Sequence, residues 1–146
     1  MPAPKETARE ILGVVPLVMR TVRSEMRRRS TFKLSVPQFR TLGFVHRHAG
    51  ASLSEVAEHI GLTLPSMSRL IDGLVERKLM LRGGHVDDRR RITLELRARG
   101  RALLESAREA AQASLAVRLS ELSEADRATI VQAMRKLHPL FGAAGL

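Results

Sequence analysis

The sequence predicts a mainly α-helical protein with one small β-hairpin, and three observations support this fold class. Residues 52–77 contain two short amphipathic segments separated by a tight turn, residues 79–96 contain alternating apolar and polar positions, and apolar stripes of helical spacing occupy both ends of the chain. With 146 residues and 44% hydrophobic content, the chain can bury one modest core. We therefore expect a single domain over residues 1–146.

The first of the two short helices is predicted to begin after Ser52. Ser52 and Glu55 form a Ser-x-x-Glu capping box, in which each side chain can satisfy an unpaired amide of the first turn. Gly61 follows the last apolar residue, at a place where a left-handed residue commonly ends a helix. The face expected to be buried consists of Leu53, Val56, Ala57 and Ile60.

The second short helix is predicted over residues 63–77. Thr63 can cap its N-terminus, and Pro65 lies in the first turn, where its missing amide costs no hydrogen bond. The face expected to be buried consists of Met67, Leu70, Ile71 and Leu74. The opposite face consists of Leu64, Ser66, Ser68, Arg69 and Asp72. Short polar groups with one arginine suit a recognition helix that enters a DNA major groove.

Residues 79–96 are predicted to form a β-hairpin with a basic tip. Gly83 and Gly84 supply flexible backbone near the tip. Alternation of period two places on the core side Ile92, Leu94 and Leu96. The arginines expected to project from the tip are Arg89, Arg90 and Arg91. Arginines at the end of such a wing suit a narrow minor groove, whose negative potential attracts guanidinium groups. The helix pair and the hairpin together predict a winged helix-turn-helix lobe over residues 35–97.

The hairpin residues resemble the MarR family of multiple-antibiotic-resistance regulators, and the resemblance covers nearly the whole chain. The family pattern runs approximately Asp-Pro-x-Asp-Arg-Arg-x-x-x-Leu-x-Leu-Thr-x-x-Gly. Residues of this chain that match it at the same spacing are Asp88, Arg89, Arg90, Leu94, Leu96 and Gly100. Residues that depart from it are His85, Val86 and Arg97. Lys78 stands where the family usually has the glycine that ends the recognition helix, and a left-handed lysine there costs about 1 kcal/mol.

The resemblance implies a homodimeric, sequence-specific DNA-binding transcriptional regulator, most often a repressor. It implies that Asp72 holds Arg90 in a salt bridge that fixes the wing, and that Arg90 enters the minor groove. It also implies release from DNA by a small, often aromatic and anionic effector, bound between the dimerisation helices and the DNA-binding lobe.

Residues at both ends of the chain are expected to form dimerisation helices, over residues 1–32 and 98–146. The N-terminal stripe consists of Ile11, Val15, Val18, Val22 and Met26. Gly13 and Pro16 are expected to kink or interrupt this helix. The next stripe consists of Leu104, Ala107, Ala111 and Leu115, and that of a last helix of Ile130, Met134, Leu137 and Phe141. Because a small lobe cannot cover all these faces, we expect helix exchange with a second copy.

Two recognition helices in a symmetric dimer predict a pseudo-palindromic operator with half-sites about ten base pairs apart. Arg69 is expected to pair with guanine, while Ser66 and Ser68 reach base edges or phosphates. Thr63 and the helix N-terminus are expected to hold phosphate. The full predicted DNA-contacting set of the helix is Thr63, Leu64, Pro65, Ser66, Ser68 and Arg69.

Candidate effector-binding residues lie in the first helices of the chain. Arg20, Arg23 and His46 are able to meet an anion, and Phe44 is able to line an apolar wall. A plainer interpretation stays open, because a phenylalanine at helical spacing is more often part of the core and histidines near a helix end are usually solvated.

The formal net charge of +10 favours a polyanionic partner. The excess is N-terminal, because residues 1–50 carry ten basic and three acidic groups, whereas residues 51–100 carry nine and seven. The charge therefore does not by itself mark the helix-turn-helix. A non-specific architectural protein, which binds any duplex through its arginines, stays open as the alternative.

Several functional classes are not expected. The absence of cysteine excludes disulfides, thiolate zinc sites and thiol-based oxidant sensing. His46 and His48 lie two residues apart and so point to different sides of a helix, which does not predict a shared metal. Without a nucleophile elbow, phosphate loop or metal signature, we expect neither an enzyme nor a cofactor. Without a long apolar run or signal peptide, we expect a cytoplasmic protein that does not bind membranes.

Overall fold

The computed structural model describes residues 1–28, 33–85 and 88–142, and the side chains of these residues except 85 and 88–91. The elements are α1 (Pro4–Arg28), α2 (Val36–Arg47), β1 (Ala51–Ser52), α3 (Leu53–Ile60), α4 (Leu64–Glu76), β2 (Met80–His85), β3 (Asp88–Leu96), α5 (Ala98–Leu119) and α6 (Glu124–Gly142). The predicted mainly helical fold with a small antiparallel hairpin is confirmed. The chain forms two compact units, one of Met26–Ala110 and one of Met1–Glu25 with Ala111–Leu146.

The helix-turn-helix forms where the sequence predicts it, because its caps are local. The Ser52 hydroxyl accepts a hydrogen bond from the Glu55 amide at 3.2 Å at the start of α3. Gly61 ends that helix with a left-handed φ of 83°, and the Ala57 carbonyl accepts from the amides of Gly61 and Leu62. The turn is therefore closed by backbone hydrogen bonds that require the left-handed residue.

Lys78 takes the left-handed conformation at the end of α4, with a φ of 61°. The Leu79 amide then donates to the Leu74 carbonyl at 3.0 Å, and the Lys78 amide donates to the Val75 carbonyl at 2.9 Å. This is the hydrogen-bond pattern that a glycine usually supports. The chain therefore keeps the helix end of the resembled family although a side chain stands there.

The sheet has the order β1-β3-β2 with antiparallel pairing. Strand β1, which pairs Ala51 with Leu94, was not predicted, because two residues carry no alternation. Leu94 and Leu96 are buried as predicted, but the core position predicted for Ile92 is wrong, since Ile92 is 39% exposed. Its partner in the register is Gly84, which offers no side chain to cover it.

The core of the Met26–Ala110 unit draws on α2 to α5 and on both hairpin strands. Its largest fully buried apolar residues are Leu42, Val45, Val56, Met67, Ile71, Leu74, Leu79, Met80, Leu94 and Leu104. The buried faces predicted for the two short helices are confirmed, with Leu53 and Leu70 half-buried at their edges. Gly100 lies so close to this core that a Cβ there would approach the Leu79 carbonyl oxygen to 2.1 Å.

The other unit consists of most of α1, the end of α5 and all of α6. A kink or an interruption was predicted in the first helix, and the interruption is wrong, because α1 runs continuously through Gly13 and Pro16, while the kink stays a prediction. A proline removes one backbone donor, and the long helical segments on both sides keep the helix continuous. Among the residues of α6, all of which the structure describes, none is buried. Large apolar residues exposed in this unit include Leu12, Val15, Val18, Val117, Val131, Met134, Leu140 and Phe141.

Candidate nucleic-acid interface

The exposed side of α4 carries the residues that the sequence predicts to contact DNA. Thr63, Leu64 and Pro65 are exposed at the first turn, and Leu64 is 51% exposed. Arg69 is exposed one turn further on. The half-buried residues between them are Ser66 and Ser68. The structure thus places the six predicted residues around the start of one helix, with the apolar face of that helix in the core.

The first turn of α4 is organised by Thr63. Its hydroxyl oxygen accepts from the Ser66 amide at 3.3 Å, and its hydroxyl donates to the Ser66 hydroxyl oxygen at 3.0 Å. Because the Ser66 hydroxyl accepts this bond, its own hydrogen can donate to an acceptor outside the helix. A helix N-terminus with such a donor has the partial positive charge that suits a phosphate oxygen.

Arg82, on β2, connects the hairpin to α4. One guanidinium nitrogen, Nη1, lies 2.6 Å from Asp72 Oδ1, and the side chains of this ion pair are 32% and 50% exposed. The other, Nη2, donates to the Ser68 carbonyl at 3.2 Å and lies 3.5 Å from the Ser68 hydroxyl oxygen. Two residues one helical turn apart are therefore held by one arginine.

The sequence interpretation missed Arg82, although a signal was present. In the hairpin register Arg82 lies opposite Leu94, and Met80 lies opposite Leu96. Residues opposite each other in an antiparallel pair share a face of the sheet, so Arg82 lies on the side that faces the core and α4. A charged residue at that register position needs a partner, and Asp72 is the acid nearby on α4.

The wing arginines Arg89, Arg90 and Arg91 belong to β3, but their side chains lie outside the described part of the structure. The predicted salt bridge between Asp72 and Arg90 therefore stays a prediction. Asp72 itself lies against Arg82.

The candidate effector residues divide between the two units. Arg20 and Arg23 belong to Met1–Glu25, whereas Phe44 and His46 belong to Met26–Ala110. Phe44 is 5% exposed and is part of the core, which supports the plainer interpretation of this residue. His46 is exposed. The pocket that these residues were proposed to form stays a prediction.

Phe44 instead contacts two histidines within its own unit. Its ring stacks on that of His59 with centroids 4.4 Å apart, and it meets the ring of His48 at 4.6 Å. Partial burial of His59 lowers its pKa, and the nearby charges of Arg40, Arg47 and His48 lower it further. His59 therefore favours its neutral form in the folded lobe.

A cavity of about 260 Å³ lies between the end of α4 and the first turns of α5. Its lining consists of Arg77, Leu79, Arg99, Ala102, Leu103 and Ser106. Arg77 also donates to the Lys33 carbonyl at 2.7 Å. A lining of two arginines and three apolar residues makes this groove suitable for a small anion with an apolar body.

Within the described ranges, no group of three or more His, Cys, Asp or Glu residues is placed to hold a metal ion. Among those same residues, no helix has the length and apolar character needed to cross a bilayer.

Comparison with known proteins agrees with this fold. Residues 32–91 match the sequence profile of the MarR family. The uncharacterized HTH-type transcriptional regulator YhbI of Bacillus subtilis (strain 168) is 33% identical over 76 residues, which are 52% of this chain and 49% of that protein. The alignment thus covers about half the length of this relative.

Solved structures match nearly the whole chain at low identity. RV1404 from Mycobacterium tuberculosis has a TM-score of 0.81 at 22% identity, over 97% of this chain and 96% of that one. Wild-type apo MarR from E. coli has a TM-score of 0.73 at 21% identity, over 89% and 95%. A point mutant of MepR from S. aureus, solved bound to an oligodeoxyribonucleotide, has a TM-score of 0.66 at 20% identity, over 92% and 97%. The central lobe of this chain is thus similar in sequence to the MarR family, and its fold is similar to that of MarR over most of the chain.

Proposed function

We propose that this chain is a cytoplasmic, sequence-specific DNA-binding transcriptional regulator that acts as a homodimeric repressor. The observation that carries the proposal is the capped helix α4, whose polar face is exposed beside the hairpin β2–β3. A helix of this kind fits a major groove, and a hairpin at its side reaches the adjacent minor groove. The MepR mutant, which shares the fold, is bound to an oligodeoxyribonucleotide, and this supports DNA binding as the function of the fold.

Residue roles in this proposal follow from chemistry and position. Arg69 pairs with a guanine, because its fork of donors matches the two acceptors of that base in the major groove. Ser66 and Ser68 donate to base edges or phosphates, and the first turn of α4 binds phosphate. The wing arginines 89–91 supply a minor-groove contact and do not distinguish most base pairs.

Exposed apolar residues in α1 and α6 support the homodimer. Val15, Val18 and Met134 lie on stripes predicted for dimerisation and are 49%, 39% and 53% exposed. Apolar faces of this size on both terminal helices need a second surface, and a second copy supplies it symmetrically. Two copies of α4 related by a two-fold axis then bind half-sites about ten base pairs apart.

Control by a small anionic or aromatic effector is part of the proposal. The candidates are the predicted residues Arg20, Arg23 and His46, without Phe44, which lies in the core, and the groove beside Arg99. Release requires that the effector bind more tightly to the dimer form that does not fit DNA. Benzoate, added to the protein–DNA complex, is a suitable probe of this chemistry, and salt of equal ionic strength is the control.

The alternative is an architectural protein that binds any duplex, and the net charge of +10 favours it. Sequencing of host genomic fragments retained by the protein at near-physiological salt separates the two. A regulator enriches a pseudo-palindrome with half-sites about ten base pairs apart, whereas fragments without a shared motif favour the architectural protein.

Single substitutions then test the roles on the enriched duplex. Arg69→Ala is expected to relax base preference in a regulator but to weaken all duplexes alike in an architectural protein. Arg90→Ala is expected to weaken binding evenly and to lower the salt slope by about one phosphate contact.

A further inference from the structure

We propose that Arg82 is a positioning residue that fixes the DNA-binding face of α4, through the contacts of its two guanidinium nitrogens with Asp72 and Ser68. We call this arrangement the Arg82 fork. The inference rests on the proposed function and names the residue on which the base preference of that surface depends.

The geometry of the Arg82 fork matches the pitch of a helix. Ser68 and Asp72 are four residues apart, so they lie on the same side of α4 one turn from each other. Nη1 meets the Asp72 carboxylate at 2.6 Å, and Nη2 meets the Ser68 carbonyl at 3.2 Å. A planar guanidinium has the separated donors that this spacing needs, whereas the ammonium of a lysine is a single point of charge.

The location of the fork gives it a role in recognition. Ser68 is in the predicted DNA-contacting set, and its neighbour Arg69 is the exposed arginine of the same face. By donating to the Ser68 carbonyl, Arg82 fixes the position of that turn of α4 relative to β2. A shift of the turn would misplace the Arg69 donors against a base edge, where alignment of two hydrogen bonds decides the preference.

The Arg82 fork also neutralises a negative charge on the face of α4 that is proposed to approach DNA. Asp72 is an exposed carboxylate on the helix that approaches DNA, and a lone carboxylate there repels phosphate. Arg82 neutralises it at contact distance. The guanidinium is thereby committed to the protein, so Arg82 is not expected to count as a phosphate contact.

The exposure of the Arg82 and Asp72 side chains distinguishes a positioning role from a role in stabilising the fold. Because the two side chains are 32% and 50% exposed, their pairing is screened and adds little to the free energy of unfolding. Removing the fork should therefore change base preference while leaving the thermal midpoint almost unchanged. A residue needed mainly for the fold would do the reverse.

The test uses the full-length protein, the duplex enriched from genomic fragments and a scrambled duplex of equal length and composition. The ratio of the two Kd values measures the base preference. The Kd for the enriched duplex, determined at several salt concentrations, gives the salt slope. Arg82→Ala should lower the preference about five- to tenfold with an unchanged slope. Arg82→Lys should recover the preference only in part, because it restores the charge without the fork.

Two further variants show whether Arg82 acts through Asp72. In an Asp72→Asn background, Arg82→Ala should change the preference by less than it does in the parent protein, since one of the two contacts of the fork is already lost. Arg40→Ala removes an exposed arginine of α2 in the same unit and is the matched control, with no expected change in preference.

Three outcomes would overturn the proposal. The first is an unchanged base preference in Arg82→Ala. The second is an equal loss of affinity for both duplexes, with a salt slope lower by about one. The third is the same loss of preference whether or not Asp72 is present.

Hydrogen exchange without DNA tests the fork independently of the proposed function. Backbone amides of β2 and α4 around the fork should exchange faster in Arg82→Ala than in Arg40→Ala, and equal exchange overturns the fork even if DNA binds. A parent protein that prefers no duplex contradicts the proposed function and leaves the exchange result valid.

Discussion

The two units of this chain differ in how they treat their apolar residues. In Met26–Ala110, residues such as Leu74 and Leu94 are fully buried. In the unit of α1 and α6, Leu12 is 74% exposed and Phe141 is 66% exposed. Burial of one such side chain contributes roughly 1.5–3 kcal/mol, so the unit of α1 and α6 leaves substantial stabilisation unrealised within one chain. The lobe thus buries its apolar residues within one chain, whereas the terminal helices expose theirs, which is what the proposed homodimer requires.

Truncation inside the lobe should have the largest effect on stability. Leu74→Ala removes a fully buried side chain and should lower the free energy of unfolding by about 2–5 kcal/mol, because it leaves a cavity. Urea denaturation followed by circular dichroism measures the loss. Leu81→Ala is the control, since Leu81 is 45% exposed in the same unit and should cost under about 1 kcal/mol. Equal losses in the two variants would contradict the core described for the lobe.

A charge on a terminal helix should break association and spare the lobe. Met134→Glu places a carboxylate on the exposed apolar face of α6, where Met134 is 53% exposed, and should weaken dimerisation at least about tenfold. Sedimentation equilibrium measures this change, and urea denaturation of the monomer reports the lobe. Arg135→Gln, one residue away, is the control and should leave the dimer intact. A monomeric parent protein, or a variant as dimeric as the parent, would contradict the comparison of the two units.

A smaller effect is expected at the end of α4. Lys78→Gly should raise the free energy of unfolding by about 1 kcal/mol, because glycine accepts the left-handed φ of 61° without steric cost. Lys78→Ala removes the same charge but keeps the Cβ, so it should not stabilise. Thermal denaturation of both variants separates backbone strain from charge. Stabilisation by the alanine variant as well would show that the lysine charge is responsible.

The smallest effect concerns His59 and the pH dependence of the lobe. Because the pKa of His59 is lowered in the folded state, the unfolded chain binds more protons between that lowered value and the ordinary pKa of about 6.5. Its neutral form is therefore needed for full stability, which is present above about pH 6.5 and falls as the pH drops below it. His59→Gln should flatten the fall in urea midpoint between about pH 7.5 and pH 5.5. If the urea midpoint of His59→Gln fell as much as that of the parent protein, titratable groups other than His59 would cause the fall.

Local features of this fold could be predicted from the sequence. The caps at Ser52 and Thr63, the left-handed Gly61 and the alternation at Leu94 and Leu96 each depend on residues a few positions apart. Helical periodicity then gave the buried faces of α3 and α4.

Features that depend on distant pairing could not be predicted in the same way. Strand β1 exists because Ala51 meets Leu94, and Ile92 is exposed because its partner is Gly84. The Arg82 pairing with Asp72 follows from the register of the hairpin and the position of α4. The continuity of α1 through Pro16 reflects the length of helix on both sides, which a local rule for proline does not include.

The short junction between α4 and β2 has a mechanical consequence. Helix α4 ends at Glu76, strand β2 begins at Met80, and the residues between them are held by the Leu79 and Lys78 amides on the last turn of the helix. Because this junction is short and hydrogen-bonded, we expect a rotation of α4 to move β2 with it. In the proposed homodimer, α4 and the hairpin of one lobe should therefore move together against DNA, and we expect a signal that releases DNA to change the distance between the two lobes.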